Sequence, residues 1–385
     1  MKKIRILHVA QAAGGVDRYI QMLLKYLDRE KFENILVCSY DFKKEDYNGL
    51  ADAFEQVNMQ RTICKADIAA MSEVRKLIGK YKPDIVYAHS SKAGAIARVA
   101  DIGMKTTEGK KNICIYNPHG WAFNIRCGRK KQMIYTAIER IAAPFCDKII
   151  CISDAEKKSA LDKKICKEEK LQVIFNGVDI EEYERRKKAG ISVVTREVLQ
   201  IPEDVFVVGM VGRISTQKAP EIFVTMAKQV KQEISNAYFI IVGDGNQREE
   251  IEEYAEKNGL IDSLLITGWI ENALDYVDLF DVAVLLSRWE GFGLVLPEYM
   301  LSGKPIVATR VDAIPDIIID GENGLLVDVD DAQSAAEAVL KLHKDARLRL
   351  NLVNRERITV YEKYDARRVS DEHERVFKEI KNRCS

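Results

Sequence analysis

The chain has 385 residues, equal numbers of basic and acidic side chains (59 each) and a formal net charge of zero. It is long enough for two domains with separate cores, and no apolar run approaches the roughly 18 to 20 residues that a membrane-spanning helix needs. Its eight cysteines have neither a Cys-x-x-Cys pair nor zinc-site spacing, so we expect reduced thiols and a cytoplasmic protein.

The first half of the chain alternates between apolar, strand-like runs and helical segments. The N-terminal residues MKKIRILHVA are too short for a signal sequence and lead directly into a glycine loop, so we interpret them as the first strand. Strands are predicted at residues 4–9, 34–40, 84–89, 112–117 and 147–153, with helices that include Val16–Leu27 and Ser72–Lys80.

The second half repeats this alternation after a polar, charged linker at residues 180–202. Strands are predicted at residues 205–212, 237–243, 263–268, 281–287 and 305–310, with a helix at residues 332–343 and an amphipathic closing helix at residues 365–381. Such alternation predicts parallel sheets with right-handed crossovers. We therefore predict an α/β protein with two doubly wound domains, residues 1–185 and 200–364, whose ligands bind beyond the carboxyl ends of the strands, in a cleft between the domains.

The zero net charge hides an asymmetry between the two halves. Residues 1–180 hold 32 of the 59 basic and 22 of the 59 acidic residues, a net charge of +10, and the remainder in residues 181–385 gives −10. A basic first half favours an anionic membrane surface or a lipid-phosphate acceptor as its partner. Two alternatives remain open here: attraction between the halves across a cleft, and plain solvated surface.

The stretch Glu290-Gly-Phe-Gly-Leu-Val-Leu-Pro-Glu298 is the most informative in the chain. It follows an apolar run at residues 281–286 that predicts a buried parallel strand. A glycine turn that leaves a strand and opens a helix directs backbone N–H groups and the positive end of the helix dipole at one point, which suits phosphate. Glu298, about one turn into the helix, would accept from the vicinal hydroxyls of a ribose, and Glu290 would reach a polar group beyond the phosphate.

In the form EGFGLVLPE, this stretch resembles the signature of retaining glycosyltransferases of family 4, which have the GT-B fold. Further strings similar to the family's motifs occur in the family's order: GGVDRY (14–19), PHGWAFN (118–124), NGVD (176–179), VGRISTQK (211–218), VGDG (242–245) and SGKPIVAT (302–309). The resemblance implies two Rossmann-like domains facing across a cleft, with a C-terminal helix, residues 365–385, that packs back on the first domain.

Charged residues of the second domain are predicted to bind the donor. Arg213 and Lys218 follow its first strand, where a guanidinium fork and an ammonium suit a diphosphate and would stabilise charge on the departing nucleotide. The resemblance implies that Glu290 lies nearest the transferred sugar and that Glu298 holds the ribose. Backbone N–H groups of three turn residues would meet sugar hydroxyls or the distal phosphate: Phe292, Gly293 and Leu294.

A glycine pair and a histidine are the candidate donor-side residues of the first domain. Gly14 and Gly15 would let the first loop come close to the donor without a side chain in the way. The motif GxGxxG is absent here, which disfavours a nicotinamide-binding domain. The resemblance implies that His119 touches the donor sugar near the reacting carbon, and we do not assign it as a catalytic base.

The other histidines and aromatic residues of the first domain have two open interpretations. His8 and His89 lie in strand-like runs and are interpreted as structural, although His89 ends a strand and could face the cleft. Three residues are predicted to line the acceptor side, with core packing as the alternative: Trp121, Phe123 and Asn124.

The predicted reaction moves a hexosyl unit from a nucleotide sugar, with UDP as the expected nucleotide, to a hydroxyl. No side chain stands out as a covalent nucleophile. The resemblance implies a same-face substitution, in which the departing phosphate oxygen takes the acceptor's proton and the anomeric configuration is retained. PHGWAFN, residues 90–100 and the basic residues 126–131 resemble enzymes that build bacterial capsular or exopolysaccharide units on a polyprenyl-diphosphate carrier.

The expected partners are thus a nucleotide sugar, a polyprenyl-diphosphate-linked saccharide and an anionic membrane surface, with no nucleic acid. The expected location is the cytoplasm, including a peripheral position on the inner face of the cell membrane. Two other functions stay open, namely a nucleotide-sugar epimerase of the same fold and a non-catalytic nucleotide-sugar-binding subunit. A glycosidase is disfavoured because it would leave Arg213, Lys218 and the glycine turn without a role.

Two further features bear on metal binding and on the sugar pocket. Asp328-Val-Asp330-Asp331 is a carboxylate cluster of a kind that can hold Mg²⁺ on a diphosphate, but it precedes a predicted helix, so we interpret it as an N-cap cluster. With cationic side chains and a helix dipole available, we expect neither a metal nor any other cofactor. Where the family commonly has Gly-Gly after the PIVAT strand, this chain has Asp312-Ala313, which predicts a narrower or differently polar sugar pocket.

Overall fold

The structure is a computed structural model that describes residues 2–11, 13–60, 64–190 and 194–383. The chain divides into two compact units. We call Met1–Gly177 together with Ala366–Ser385 the N unit, and Val178–Asp365 the C unit.

The N unit is built on a parallel sheet. Its strands in the described residues are β1 (Ile4–Ala10), β2 (Phe32–Cys38), β3 (Ala53–Gln56), β4 (Ile85–His89), β5 (Ile113–Asn117), β6 (Lys148–Cys151) and β7 (Leu171–Val173). They lie in the order β3-β2-β1-β4-β5-β6-β7, and every pair is parallel. The five strands predicted from the sequence are confirmed. Strands β3 and β7 were not predicted, because these short strands are only partly buried and lack a long apolar run.

The C unit has a second parallel sheet. Its strands in the described residues are β8 (Phe206–Val211), β9 (Ala237–Val242), β10 (Leu264–Ile266), β11 (Val282–Leu285), β12 (Ile306–Thr309) and β13 (Leu325–Val327). Their order is β10-β9-β8-β11-β12-β13. The five predicted strands are again confirmed, and β13, three residues long, was missed. The prediction of two doubly wound parallel sheets is therefore correct.

Helices cover both faces of each sheet. The N unit contributes α1 (Gly15–Tyr26), α2 (Ala66–Tyr81), α3 (Ser91–Ala100), α4 (Arg129–Ala142) and α5 (Asp154–Asp162). The C unit contributes α6 (Ile180–Lys188), α7 (Pro220–Glu233), α8 (Arg248–Lys257), α9 (Leu274–Val277), α10 (Val295–Leu301), α11 (Ile314–Ile317), α12 (Ala332–Lys344) and α13 (Ala346–Lys363). The last helix, α14 (Ala366–Arg383), lies in the N unit. Within the described residues, no helix is both long and apolar enough to cross a bilayer.

The cores explain why the central strands have continuous apolar sequences. In the N unit one apolar cluster lies between the sheet and helices α2 and α3, and a second cluster on the other face includes Ile20 of α1 and Phe377 of α14. In the C unit Phe223 of α7 and Val339 of α12 share one cluster with the sheet. Strands that are buried on both faces read as unbroken apolar runs rather than as alternating patterns.

Helix α14 packs on the N unit through apolar and charged contacts. The Phe377 ring meets the Phe32 ring edge-on at 6.0 Å. Oε1 of Glu374 accepts from the backbone N–H of Asp28 at 3.0 Å, and the Lys381 ammonium lies 3.3 Å from the Asp84 carboxylate.

The linker prediction at residues 180–202 needs correction. Residues 191–193 lie outside the described residues, but Ile180–Lys188 forms helix α6 of the C unit rather than an irregular linker. Asp179 caps this helix by accepting from the backbone N–H of Glu182 at 3.0 Å. The Tyr183 hydroxyl also donates to Asp278 at 3.3 Å. These contacts attach α6 to the C unit, so the division falls at residues 177 and 178, not at 185.

Candidate functional site

The loop between β11 and α10 carries the two glutamates of the EGFG motif. Strand β11 is fully buried between β8 and β12, as predicted. Gly293 has a φ of +86°, where a non-glycine residue is strained, and a Cβ there would come within 3.3 Å of the Glu290 side chain. Helix α10 begins at Val295, so Glu298 lies in its first turn, as predicted, and is 3% exposed.

Phe292 of the same loop is part of the core. Its side chain is buried, and its ring meets the Tyr364 ring edge-on at 5.8 Å. The Phe292 side chain therefore anchors the loop to the core of the C unit. The predicted contact of the Phe292, Gly293 and Leu294 backbone with a donor stays a prediction.

Glu290 and Lys218 form a direct ion pair. Nζ of Lys218 donates to Oε2 of Glu290 at 2.6 Å, and the two side chains are 14% and 11% exposed. The Ser287 hydroxyl donates to the same oxygen at 3.1 Å. Separate ligands were predicted for the two residues, and their pairing across 72 positions was not predicted. An ammonium has three donors, so Lys218 keeps two N–H groups for a ligand while Glu290 orients it.

Asp312 fixes the backbone of Glu290. Its Oδ2 accepts from the Glu290 N–H at 2.9 Å, and the Ala313 N–H donates to the Glu290 carbonyl at 3.4 Å. Asp312 itself has a φ of +44°, which is uncommon for a residue with a side chain. Asp312, which stands where the family commonly has glycine, thus adds a carboxylate that holds the backbone of the loop carrying Glu290. The narrower or differently polar sugar pocket stays a prediction.

The loop between β8 and α7 carries Arg213, which is exposed, and Lys218, which lies two residues before α7 begins at Pro220. The VGDG string supports this loop by close backbone packing. A Cβ on Gly243 would lie 2.1 Å from the Gly212 carbonyl oxygen, and a Cβ on Gly245 would lie 2.1 Å from that of Ile214. VGDG was identified from the sequence only as a family string, and its packing role was not predicted.

Tyr299 connects the two loops of the C unit. Its hydroxyl oxygen accepts from the backbone N–H of Val211, the last residue of β8, at 2.7 Å. Burial raises the pKa of Tyr299 well above its ordinary value, so the hydroxyl stays protonated. Helix α10, which carries Glu298, is therefore fastened to the strand from which Arg213 follows.

Arg288 is a second residue that the sequence analysis missed. Its guanidinium donates to the Thr216 carbonyl at 3.0 Å and to Asp330 at 2.6 Å, and it also bonds Glu221. These bonds tie the loop after β11 to the loop after β8.

The acidic cluster at residues 328–331 has structural partners. Asp331 caps α12 by accepting from the Ser334 N–H at 2.9 Å, which confirms the N-cap interpretation. Asp330 is the partner of Arg288. Across the described ranges, no group of three or more His, Cys, Asp or Glu side chains is placed to hold a metal ion. The expectation that no metal or other cofactor is needed stays a prediction.

The glycine pair of the N unit lies at the start of α1. Gly14 precedes the helix with a φ of +107°, and no atom lies within 4 Å of the position its Cβ would take. The conformation, not a lack of space, therefore calls for glycine at this position. Gly15 is the first residue of α1 and is exposed. The donor contact predicted for both stays a prediction.

His119 follows β5 in an uncommon backbone conformation. Its φ is +50°, and its N–H donates to Oδ1 of Asn117 at 3.0 Å. The residue as a whole is partly exposed. Its ring packs edge-on against the Tyr19 ring at 4.5 Å and places Nε2 3.1 Å from Nδ1 of His89. Burial of the ring and then the nearby His373 lower the pKa of His119 to about 3. The imidazole is therefore neutral at pH 7.

His8 and His89 are fully buried, which agrees with the structural interpretation. The alternative that His89 faces an open cleft is wrong for its side chain, because the ring is covered by its neighbours. His89 nevertheless contacts His119 directly.

The predicted acceptor-side residues are mostly core residues. Trp121 and Phe123 are 1% and 2% exposed, and their rings stack at 5.1 Å. The Trp121 indole N–H donates to the Glu156 carbonyl at 3.0 Å. The acceptor-lining prediction is thus wrong for these two side chains, since their large apolar area is removed from water, and core packing is the correct alternative. Asn124 is partly exposed and accepts from the Ser159 hydroxyl at 2.9 Å.

Glu156 holds the loop that carries His119 and was missed by the sequence analysis. Its two carboxyl oxygens accept from the backbone N–H groups of Gly120 at 2.8 Å and Ile152 at 2.7 Å. Burial raises the pKa of Glu156 to about 7, against the opposing effect of these two N–H groups. The sequence signal was an acid in the first turn of α5, but its bond to Gly120 joins positions 36 apart and could not be predicted.

Both parts of the chain match known protein families. Residues 13–182 match the family described as "Glycosyltransferase Family 4", and residues 194–359 match "Glycosyl transferases group 1".

Two similar proteins align with most of the chain. A UDP-Gal:alpha-D-GlcNAc-diphosphoundecaprenol alpha-1,3-galactosyltransferase of Escherichia coli is 28% identical over 358 residues, which cover 90% of this chain and 90% of that protein. An uncharacterized 41.2 kDa protein in the cps region of Klebsiella pneumoniae is 32% identical over 341 residues, which cover 87% of this chain and 88% of that protein.

Solved structures share the fold. Anabaena HepE in complex with UDP-glucose has a TM-score of 0.81 at 20% identity, covering 98% of this chain and 100% of that chain. Sucrose-phosphate synthase from Thermosynechococcus elongatus also has a TM-score of 0.81, at 17% identity, covering 98% and 99%. With two doubly wound sheets, the EGFG loop with its two glutamates and these similarities, the chain has the GT-B fold and belongs to glycosyltransferase family 4.

Proposed function

We propose that this chain is a retaining hexosyltransferase, which moves a hexosyl unit from a UDP-sugar to a hydroxyl of a lipid-linked saccharide in bacterial surface-polysaccharide synthesis. The observation that carries the proposal is the Lys218–Glu290 pair in the same unit as Arg213 and Glu298. The E. coli relative supports this choice of substrates, because its name specifies a UDP-sugar as the donor and a diphosphoundecaprenol-linked sugar as the acceptor.

In this proposal the C unit binds the nucleotide. Glu298 accepts from the two ribose hydroxyls, and Arg213 and Lys218 donate to the diphosphate. Burial strengthens the Lys218 contribution, since a charge with little water around it is screened weakly. Oε2 of Glu290 is occupied by Lys218 and Ser287, while Oε1 accepts from no other group in the part of the chain that the structure describes. We assign Oε1 to a hydroxyl of the transferred sugar.

The proposed chemical step is a substitution on one face of the sugar. The bond between the anomeric carbon and the β-phosphate oxygen breaks, and the acceptor oxygen forms its bond to the same carbon from the same side. The acceptor's proton passes to the departing phosphate oxygen, so UDP leaves and no side chain is modified. Lys218 and Arg213 stabilise the charge on the phosphate as it leaves, and His119 hydrogen-bonds the sugar.

We also propose that the reaction needs no divalent metal. The two cations named above take the role that Mg²⁺ has on diphosphates elsewhere, and the acidic residues 330 and 331 have structural partners. Transfer at unchanged rate after chelation with EDTA, and no gain on adding Mg²⁺ or Mn²⁺, is the expected result. Loss of transfer that added metal restores would refute this part.

A surface of the N unit supports contact with an anionic membrane. In the segment from Ile125 to Phe145, which contains α4, five apolar residues are 41–72% exposed: Ile125, Met133, Ile134, Ile141 and Phe145. Five basic residues are also exposed there: Arg126, Arg129, Lys130, Lys131 and Arg140. The one acid of the segment, Glu139, is buried against Arg98 at 2.9 Å. Exposed apolar side chains among cations suit an anionic lipid surface, where each basic residue contributes about 1 kcal/mol.

Sedimentation with lipid vesicles tests the membrane contact. The parent should sediment with vesicles that contain phosphatidylglycerol and much less with pure phosphatidylcholine. The double variant Met133→Ser/Ile141→Ser should lose most of this binding. A matched control, Ile68→Ser, removes an exposed isoleucine of α2 (70% exposed) and should bind as the parent does. Equal binding by the double variant and the parent would refute the assignment of this surface.

A donor panel tests the reaction itself. The protein is incubated with UDP-, GDP- and dTDP-sugars, with and without a polyprenyl-diphosphate-linked saccharide, and released nucleotide is measured. UDP release that depends on the acceptor supports the proposal. A new sugar isomer without acceptor supports an epimerase instead, and binding without turnover across the panel supports a non-catalytic subunit.

A further inference from the structure

Four of the chain's five histidines lie together in the N unit. His8 is on β1, His89 ends β4, His119 follows β5 and His373 is on α14. Strands β1, β4 and β5 are neighbours in the sheet, so their carboxyl ends bring the first three rings side by side. The proposed reaction uses only His119 and leaves the other rings without a role.

Three of these rings form a hydrogen-bonded line that begins at an asparagine. Oδ1 of Asn34 lies 3.3 Å from Nε2 of His8, and Nδ1 of His8 lies 3.2 Å from Nε2 of His89. Nδ1 of His89 in turn lies 3.1 Å from Nε2 of His119. Asn34, His8 and His89 are fully buried, whereas His119 is partly exposed.

Each neutral imidazole has one donor nitrogen and one acceptor nitrogen, so all hydrogen bonds along this line point the same way. An amide oxygen only accepts, so His8 must carry its proton on Nε2 and accept at Nδ1. His89 then donates from Nε2 and accepts at Nδ1, and His119 donates from Nε2. The far end of the line is therefore Nδ1 of His119, which carries a lone pair, and the ring's hydrogen bond in the described residues is the one from Nε2 to His89.

The neighbouring network does not compete for His119. Nδ1 of His373 lies 2.7 Å from the Val369 carbonyl, which only accepts, so Nε2 of His373 is an acceptor. Two tyrosine hydroxyls lie within reach of this nitrogen, that of Tyr19 at 2.7 Å and that of Tyr87 at 3.2 Å. The Tyr19 hydroxyl lies within hydrogen-bond distance of Tyr87 and His373, whereas the Tyr19 and His119 rings pack edge-on with centroids 4.5 Å apart. Burial lowers the pKa of His8 and His373 to about 4 and that of His89 well below its ordinary value, which keeps the line neutral.

We propose that His8 and His89 are positioning residues that hold His119 in the Nε2–H tautomer, so that its Nδ1 accepts a hydrogen bond from one hydroxyl of the transferred sugar. The proposal deepens the proposed function and rests on it for the identity of the ligand. At this position the site would recognise a sugar group that donates a hydrogen bond, and not a group that only accepts one.

Nitrogen NMR of the unliganded protein tests the tautomer without any substrate. The histidines are labelled with ¹⁵N, and each ring is assigned by the signals that vanish in its single His→Gln variant. We expect His119 protonated on Nε2 only, and we expect a mixture of both tautomers in Asn34→Leu, which removes the acceptor at the buried end. Protonation of His119 on Nδ1 in the parent, as the opposite orientation of the Asn34 amide would produce, overturns the proposal.

Modified donors test the role in recognition. UDP-sugars in which one hydroxyl is replaced by fluorine, which accepts weakly but cannot donate, are compared with the natural donor. At one position the parent should lose about tenfold in kcat/KM, the size expected for one hydrogen bond, and His89→Gln should lose that discrimination. The control His343→Gln alters the remaining histidine, which is exposed in the C unit, and should behave as the parent does. Undiminished discrimination in His89→Gln overturns the proposal.

The two experiments separate this inference from the proposed function. If the parent transfers no sugar, the proposed function fails, while the NMR result still decides the tautomer. If the parent transfers sugar but every fluorinated donor reacts as the natural one does, the proposed function stands and the hydrogen bond from the sugar to Nδ1 is refuted.

Discussion

Replacing Lys218 by methionine tests the role of the buried ion pair in catalysis. The ammonium lies 2.6 Å from Glu290 and is 14% exposed, so it is a preorganised charge in a site with little water. Loss of one such group typically raises the barrier by about 2.7–4 kcal/mol, which corresponds to about 100- to 1,000-fold in kcat. We therefore expect Lys218→Met to lower kcat by about 100-fold or more, measured as UDP released in the presence of acceptor.

The same variant has a predicted effect on stability. It leaves the Glu290 carboxylate, 11% exposed, with the Ser287 hydroxyl as its remaining side-chain donor in the described residues. A partner lost from a mostly buried polar group costs about 1–3 kcal/mol, which urea unfolding would detect. The double variant Lys218→Met/Glu290→Gln should recover part of this stability, because no unpaired charge remains, but none of the lost kcat.

A matched lysine of the same unit serves as the control. Lys228 is exposed on α7, where its ammonium donates to Asn258 at 3.1 Å. Lys228→Met should keep kcat within about twofold, because an exposed cation is well screened by water and salt. A folded Lys218→Met that keeps kcat within threefold of the parent would refute the assigned role of Lys218.

Three further predictions concern the ribose contact, the loop support and pH. Glu298→Gln should weaken UDP binding about 10- to 100-fold by calorimetry, since a hydrogen bond to a charged group is worth about 1.5–3 kcal/mol. The analogue 2′,3′-dideoxy-UDP, which lacks both ribose hydroxyls, should bind the parent and the variant with equal affinity. A different affinity for this analogue would contradict the ribose assignment. Gly243→Ala should lower the free energy of unfolding by about 1–3 kcal/mol, because the new Cβ meets a carbonyl oxygen at 2.1 Å. The control Gly79→Ala in α2, whose new Cβ has its nearest contact at 3.4 Å, should not lower the free energy of unfolding. Equal stability of the two variants would refute the packing argument. Burial raises the pKa of Glu156 from 4.5 to about 7, so the folded state binds more protons than the unfolded state between these pH values. The free energy of unfolding should therefore fall as pH rises from 4.5 to 7. Glu156→Gln should remove this part of the pH dependence, and an unchanged pH profile would show that Glu156 does not titrate as described.

Much of the fold could be predicted because its signals are local. Buried strands such as β11 are unbroken apolar runs, and Gly293, at a φ of +86°, marks the turn that opens α10. Helix α6 was missed because its nine residues are mostly charged and resemble a linker. The signal was present, since Asp179 followed three residues later by Glu182 is a helix-start pattern of the capping-box type.

The candidate site was less predictable because its contacts join distant segments. Lys218 and Glu290 could each be found as a motif residue, but their bond depends on β8 and β11 lying side by side. The line from Asn34 to His119 depends in the same way on the order of four strands. Trp121 was misplaced because an aromatic residue after a glycine turn has the same sequence pattern whether its ring lines a pocket or enters the core.

The stereochemistry of a single turnover tests the central claim most directly. A UDP-hexose of known anomeric configuration is reacted with a polyprenyl-diphosphate-linked saccharide, and proton NMR follows both the new glycosidic linkage and free UDP. We predict one UDP released for each sugar transferred, with the anomeric configuration of the donor kept in the product. An inverted linkage, or loss of the donor to a sugar isomer without transfer, would contradict the account.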